Sequence, residues 1–204
     1  MKKCTLLMGA ALLAALSASA GNDVVVKAGD TVKLFTETKA ISKTYDFEDA
    51  TLQGWASIDA DGDGHNWRTT YDFSEDMGRN SEHCVISESF YSDGIKREAL
   101  KPNNYLVSPI KVKAGKSTFI SFYAAAYDKT YCKEHFGVAI STGDDRMNPN
   151  DYTTIAEWTY GVDGVATQLK GKDISSVKRQ PQTAWVMYTV DLSKYADEEI
   201  WVAI

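Results

Sequence analysis

The run Val186-Met187-Tyr188-Thr189-Val190-Asp191-Leu192 alternates without a break, with Val186, Tyr188, Val190 and Leu192 on one side and Met187, Thr189 and Asp191 on the other. Successive side chains of a strand point to opposite faces, so this segment reads as a β-strand with one buried face. No stretch beyond residue 20 keeps a 3.6-residue apolar repeat over three turns, which removes the amphipathic helix as a building unit. Shorter β-prone runs recur between turn residues, at 84–87, 105–107, 118–124, 136–141, 153–158 and 200–204. Seven or more short strands joined by turns predict an antiparallel sandwich or barrel. Residues 161–183, with Lys170, Lys172, Lys178 and Arg179, read as the longest irregular segment, an exposed loop open to nicking.

One stretch carries chemistry. In Ile58-Asp59-Ala60-Asp61-Gly62-Asp63-Gly64-His65-Asn66-Trp67, three carboxylates stand at alternate positions, and Gly62 and Gly64 let the backbone turn tightly. Hard oxygen donors gathered round one point are calcium chemistry. An EF-hand would need a glutamate at its twelfth position and helical flanks; Thr70 stands there, and the flanking segments 54–58 and 67–71 are aromatic and β-branched. The competing reading is an ion-free Asp/Gly turn. Like charges so close together repel unless a cation sits among them, which favours the metal loop.

Composition bounds the rest. The 204 residues, 44% apolar and 25% charged, suit one globular domain behind a short leader. Lys2 and Lys3, the apolar run 6–16 and Ala18-Ser19-Ala20 make residues 1–20 a signal peptide with the mature chain starting at Gly21, and the run is too short to span a bilayer. Residues 21–43 read as a lead-in hairpin or linker, with β-prone runs either side of Ala28-Gly29-Asp30. The main domain then covers 44–204. The formal charge of −6, more negative still without the leader's lysines, argues against nucleic-acid binding. Cys84 and Cys132 remain in a chain bound for an oxidising compartment, either as a disulfide or as two buried thiols.

Other motifs fail. Gly115-Lys116-Ser117 ends like a phosphate-binding loop, but Ile110 stands where the first glycine belongs, and no Gly-x-Ser-x-Gly elbow exists. His83, Cys84, Cys132 and His135 could be assembled into a zinc site only if neighbours on a strand converged. Glu88, Glu98, Glu134 and Asp128 read as surface charge. Trp67, Tyr71, Tyr91, Tyr127 and Tyr131 read mainly as packing residues, with a sugar-stacking platform as the sharper alternative.

These pieces together resemble the cleaved-adhesin, or choice-of-anchor, domain of gingipain haemagglutinin/adhesin regions in Bacteroidetes. The resemblance is carried in order by Asp46-Phe47-Glu48, Gly54-Trp55 with the acidic loop, Cys84-Val85-Ile86-Ser87-Glu88-Ser89-Phe90, Pro102-Asn103-Asn104-Tyr105-Leu106-Val107-Ser108-Pro109, Glu134-His135-Phe136-Gly137-Val138 and Thr189-Val190-Asp191-Leu192. It implies an all-β jelly-roll antiparallel β-sandwich lacking its last strand, since the family pattern runs past the strand at 200–204. It also implies structural Ca2+, no catalysis by this domain and display as a secreted or cell-surface module, periplasmic if not exported further. The implied partners are host extracellular or red-cell proteins or glycans, without membrane insertion. By position, Asp59, Asp61 and Asp63 match the family's acidic loop and Glu48 an acid at the end of its first strand, while Asn104 lies in the matching Asn-Tyr motif as a further candidate ligand. The alternative function is an accessory carbohydrate-binding domain of a secreted hydrolase.

Overall fold

The computed structural model describes residues 2–7, 31–36, 42–73, 76–128, 132–161, 166–171 and 185–204. The chain divides into two units, residues 1–44 and 45–204. The first contains an antiparallel ladder of β1 (Lys2–Leu7) and β2 (Thr31–Thr36), with Lys2 opposite Thr36 and Leu7 opposite Thr31. The first run and turn of the expected lead-in hairpin, residues 24–30, lie outside the described residues.

Among its described residues the second unit carries thirteen strands. They are β3 (Ala56–Asp59), β4 (Arg68–Thr69), β5 (Val85–Ile86), β6 (Phe90–Ser92), β7 (Arg97–Ala99), β8 (Asn104–Val107), β9 (Val112–Lys113), β10 (Phe119–Ala124), β11 (His135–Ser141), β12 (Thr153–Tyr160), β13 (Ala166–Lys170), β14 (Val186–Asp191) and β15 (Glu199–Ala203). Each of the seven runs expected from the sequence forms a strand. The described residues contain no α-helix, only 3-10 turns at Pro149–Asp151 and Ser193–Tyr195. All strand pairings are antiparallel.

One layer is a large sheet in the order β13-β12-β11-β15-β8-β3, with β9 also on β15; β10 and β14 form the facing pair. The strand expected at 200–204 is therefore interior, flanked by β11 on one side and β8 and β9 on the other. The alternation of β14 lands as its sequence dictates: Val186, Tyr188, Val190 and Leu192 are buried, and Met187, Thr189 and Asp191 face outward, half-buried. They pack with Ile120, Phe122 and Ala124 of β10 against Val138, Ile140, Trp158, Tyr160, Ile200 and Val202. Trp158 is 2% exposed, stacks on Phe136 at 5.3 Å and meets Tyr188 at 5.0 Å. Each large apolar side chain so buried contributes roughly 1.5–3 kcal/mol. The buried Tyr160 and Tyr188 hydroxyls bond each other at 2.8 Å, which removes the desolvation cost either would carry alone.

The opposite face of the large sheet has its own small core of Ile58, Val107, Ala139 and Ala203, covered by Tyr105, Tyr152 and Trp201. Burial on both faces explains why β15 reads as a continuous apolar run rather than an alternating one.

The 161–183 expectation needs one correction, because residues 166–170 are the edge strand β13 on β12. Its one large apolar residue, Leu169, is 56% exposed, so no alternation marks it. It ends at Gly171, whose φ of +81° and close approach to Ile155 O, 2.4 Å from where a Cβ would sit, exclude a side chain. The hairpin of β6 and β7 was also not marked by any apolar pattern.

Candidate functional site

The acidic loop begins where β3 ends. Asp59 lies directly opposite Asn104 of β8, and Ala60 N donates to Asn103 O one step further, so the ladder holds both ends of the site in register. Beyond it the chain turns at Gly62 and Gly64, with φ of +72° and +82°, conformations that side chains other than glycine rarely adopt. Asp59 orders that turn: its Oδ1 accepts from Gly62 N at 2.7 Å and its Oδ2 from Gly64 N at 2.9 Å. Asp63 Oδ1 accepts from His65 N at 2.8 Å. The result brings carboxylate oxygens of Asp59, Asp61 and Asp63 within 4.8 Å of one another.

Asn104, opposite Asp59 in the ladder, is tied to the segment that follows the loop. Its amide nitrogen donates to His65 O at 2.9 Å and to Ser87 Oγ at 3.2 Å, and its backbone carbonyl accepts from Trp67 Nε1 at 3.3 Å. Its Oδ1 is buried with no hydrogen-bond partner. A buried acceptor left orphaned costs free energy unless something electropositive meets it. Three carboxylates plus a carbonyl-type oxygen are the donor set that hard divalent cations take.

Glu48 stands apart. It is not a member of the carboxylate group; its Oε2 accepts from the N–H groups of Glu82 and His83, both at 3.2 Å, and so pins the chain ahead of β5. Among the described residues, the aromatic side chains singled out in the sequence each have a different neighbour. Trp67 is tied to Asn104, Tyr91 packs on His65 at 4.4 Å, Tyr71 lies near His83, Tyr127 meets Phe73, and Tyr131 lies outside the described residues. Glu88 pairs with Arg68 at 3.1 Å, Glu98 with Lys96, and Glu134 accepts from Ser89 Oγ. Cys84 and Cys132 are free thiols, bonded to Met77 O and Gly161 O. Burial pushes the Cys84 thiol up, which favours its protonated form. Among the described residues, the three aspartates are the one group able to converge on a metal, so the His/Cys zinc arrangement does not form there.

The two N–H donors, Gly64 first, hold the Asp59 carboxyl below its ordinary value of 3.8, with burial opposing them. A depressed folded-state pKa contributes stability that is fully present above the unfolded value and lost as pH falls through the folded one. The melting midpoint is therefore expected to drop as pH falls below about 4, and Asp59→Ala should shrink that drop. An equal acid slope in the variant would show that the N–H contacts carry none of it.

Fold and site together define a class: antiparallel β-sandwich domains with an ordered acidic loop at the end of a sheet strand. The chain belongs to the Cleaved Adhesin Domain family, which matches residues 40–204. Hemagglutinin A of Porphyromonas gingivalis is 32% identical over 184 residues, 86% of this chain and 7% of that protein. Gingipain R1 and Lys-gingipain of Porphyromonas gingivalis strain ATCC 33277 are each 37% identical over 149 residues, 72% of this chain and 8% of theirs. This chain thus spans under a tenth of the length of these relatives. The crystal structure of the K1 Cleaved Adhesin domain of Lys-gingipain from Porphyromonas gingivalis W83 superposes with a TM-score of 0.56 at 30% identity, covering 78% of this chain and 84% of that one. The part shared with the gingipains is an adhesin domain.

Proposed function

We propose that this chain is a secreted, calcium-stabilised adhesin/haemagglutinin-like binding domain that contacts host proteins or glycans, with residues 1–20 serving as its export leader. The observation that carries the calcium half is the convergence of Asp59, Asp61 and Asp63, beside which Asn104, the residue opposite Asp59 in the β3/β8 ladder, holds a buried Oδ1 with no hydrogen-bond partner. A bound Ca2+ would cancel the mutual repulsion of the carboxylates. Asp59 holds the turn, Asp61 and Asp63 supply exposed oxygens, and Asn104 ties His65 to Ser87, the residue just after β5. The His65 and Tyr91 rings extend that order to the β6/β7 hairpin. The adhesive half rests on kinship with Hemagglutinin A and the gingipain adhesin region. Such a module acts by presenting loops on a rigid frame, with no catalytic step of its own.

The test is adhesion itself. Beads coated with the chain recovered after export should agglutinate red cells or capture extracellular-matrix protein in Ca2+, and should do so less after chelation. Beads that bind no cell, matrix protein or glycan in either buffer would sink the adhesin reading.

A further inference from the structure

The outer face of β10 and β14 is a built surface that neither core uses. Phe119, Ser121 and Tyr123 of β10 point outward at every second position, and Phe119 and Tyr123 are 50% and 42% exposed. At about 3.3 Å per residue the two rings stand roughly 13 Å apart along the strand. Between them Ser121 Oγ meets Thr189 Oγ1 of β14 at 3.0 Å, so a pair of hydroxyls fills the gap between the rings. At one end the guanidinium of the exposed Arg79 lies 3.7 Å from the centroid of the Tyr123 ring. No carboxylate among the described residues is within ion-pairing distance of Arg79. At the other end Asp191 stands opposite Phe119, already accepting from Ser193 N at 2.7 Å.

From this order of ring, hydroxyls and free guanidinium, the geometry points to a binding face for an acidic oligosaccharide, one carrying a carboxylate or a sulfate. The C–H face of a sugar is weakly positive and suits the negative face of an aromatic ring, here the open ring of Phe119. Sugar hydroxyls both donate and accept, as do Ser121 and Thr189. An anionic substituent suits a planar guanidinium held in place by stacking and not already neutralised. Charge also sets the direction: Arg79 draws an anion to the Tyr123 end. The acidic loop takes no part in these contacts. The inference rests on reading the chain as a binding domain and names the ligand class for one of its faces.

Titration calorimetry on the full exported chain tests it with four probes: a heparin tetrasaccharide, its fully desulfated form, a hyaluronan tetrasaccharide and neutral cellotetraose. Saturable binding of at least one acidic probe is expected, about tenfold tighter than cellotetraose and weakening with added salt. Which acidic probe binds best separates sulfate from carboxylate recognition. Phe119→Ala and Arg79→Ala should each weaken that binding about tenfold, with Arg79→Lys in between because it keeps charge without the planar stack. Both positions are exposed, so unchanged melting midpoints confirm that the variants fold. Absence of saturable binding to every acidic probe overturns the proposal, as does equal affinity in the variants or for cellotetraose. Red-cell or matrix-protein adhesion by the parent chain, with no acidic probe bound to it, overturns this inference alone and leaves the adhesin reading standing.

Discussion

Trp158→Ala is expected to lower the stability of the sandwich by about 3–5 kcal/mol, the range for removing a large aromatic side chain from a core that cannot collapse around the gap. Trp158 is the place where that limit is met. It sits on β12, paired on both sides within the large sheet, stacked on Phe136 and edge-on to Phe122 and Tyr188, so the void would open between two sheets rather than at a rim. Backbone pairing of β12 with both β11 and β13 keeps the layers from closing over it. Against a total stability on the order of 5–15 kcal/mol, the loss is a large fraction, and the melting midpoint should fall by roughly 6–20 °C. Leu169→Ala on the exposed edge strand is the control and should move it by about 1–2 °C at most. A Trp158→Ala chain that melts with the parent would mean that the β10/β14 layer does not seal this core.

Calcium is expected to raise the melting midpoint of the parent chain by roughly 5–10 °C when present at about a hundred times its dissociation constant. A ligand at that excess adds about 2.7 kcal/mol to the folded state, and a domain of this size gains about 2–4 °C for each kcal/mol. The Asp61→Asn/Asp63→Asn variant gives the sign check. It should lose the calcium response, yet in chelator it should melt at or above the parent, because two of the three mutually repelling charges are gone. Magnesium should substitute weakly, since it gives up its water reluctantly and prefers a rigid octahedron over a mixed carboxylate and amide cage. An identical midpoint in calcium and in chelator would remove the ion from the account and leave Asp59, through its N–H contacts, as the sole organiser of the loop.

What the sequence disclosed follows burial. The β14 alternation was legible because one face is buried and the other is not, and the runs that became β8, β10, β11, β12 and β15 were legible because they carry core side chains. β13 carried no such mark, with Leu169 exposed, and β6 and β7 expose Phe90 and, at the tip between them, Ile95. The tip did carry a turn signal: Gly94 has φ of +88°, and Asp93 Oδ1 accepts from Ile95 N and Lys96 N. The carboxylate loop was readable because its three acids are neighbours in sequence. Asn104 lies 45 residues from Asp59, and spacing cannot say which distant strand will pair there. Glu48 matched a motif position, yet its carboxylate is spent on the backbone at residues 82 and 83.

The position of β15 inside the large sheet also constrains how the domain comes into being. Residues 56–59 and 104–107 can pair early, and so can 135–141 with 153–160, but among the described residues the backbone ladder that joins these two halves runs through residues 199–203. A chain threaded end-first through a translocation pore, or emerging from a ribosome, thus holds two incomplete half-sheets until residues 199–203 are delivered. Closure of the sheet then depends on contacts nearly a hundred residues apart, the kind that slows folding and leaves apolar surface open to chaperones in the meantime.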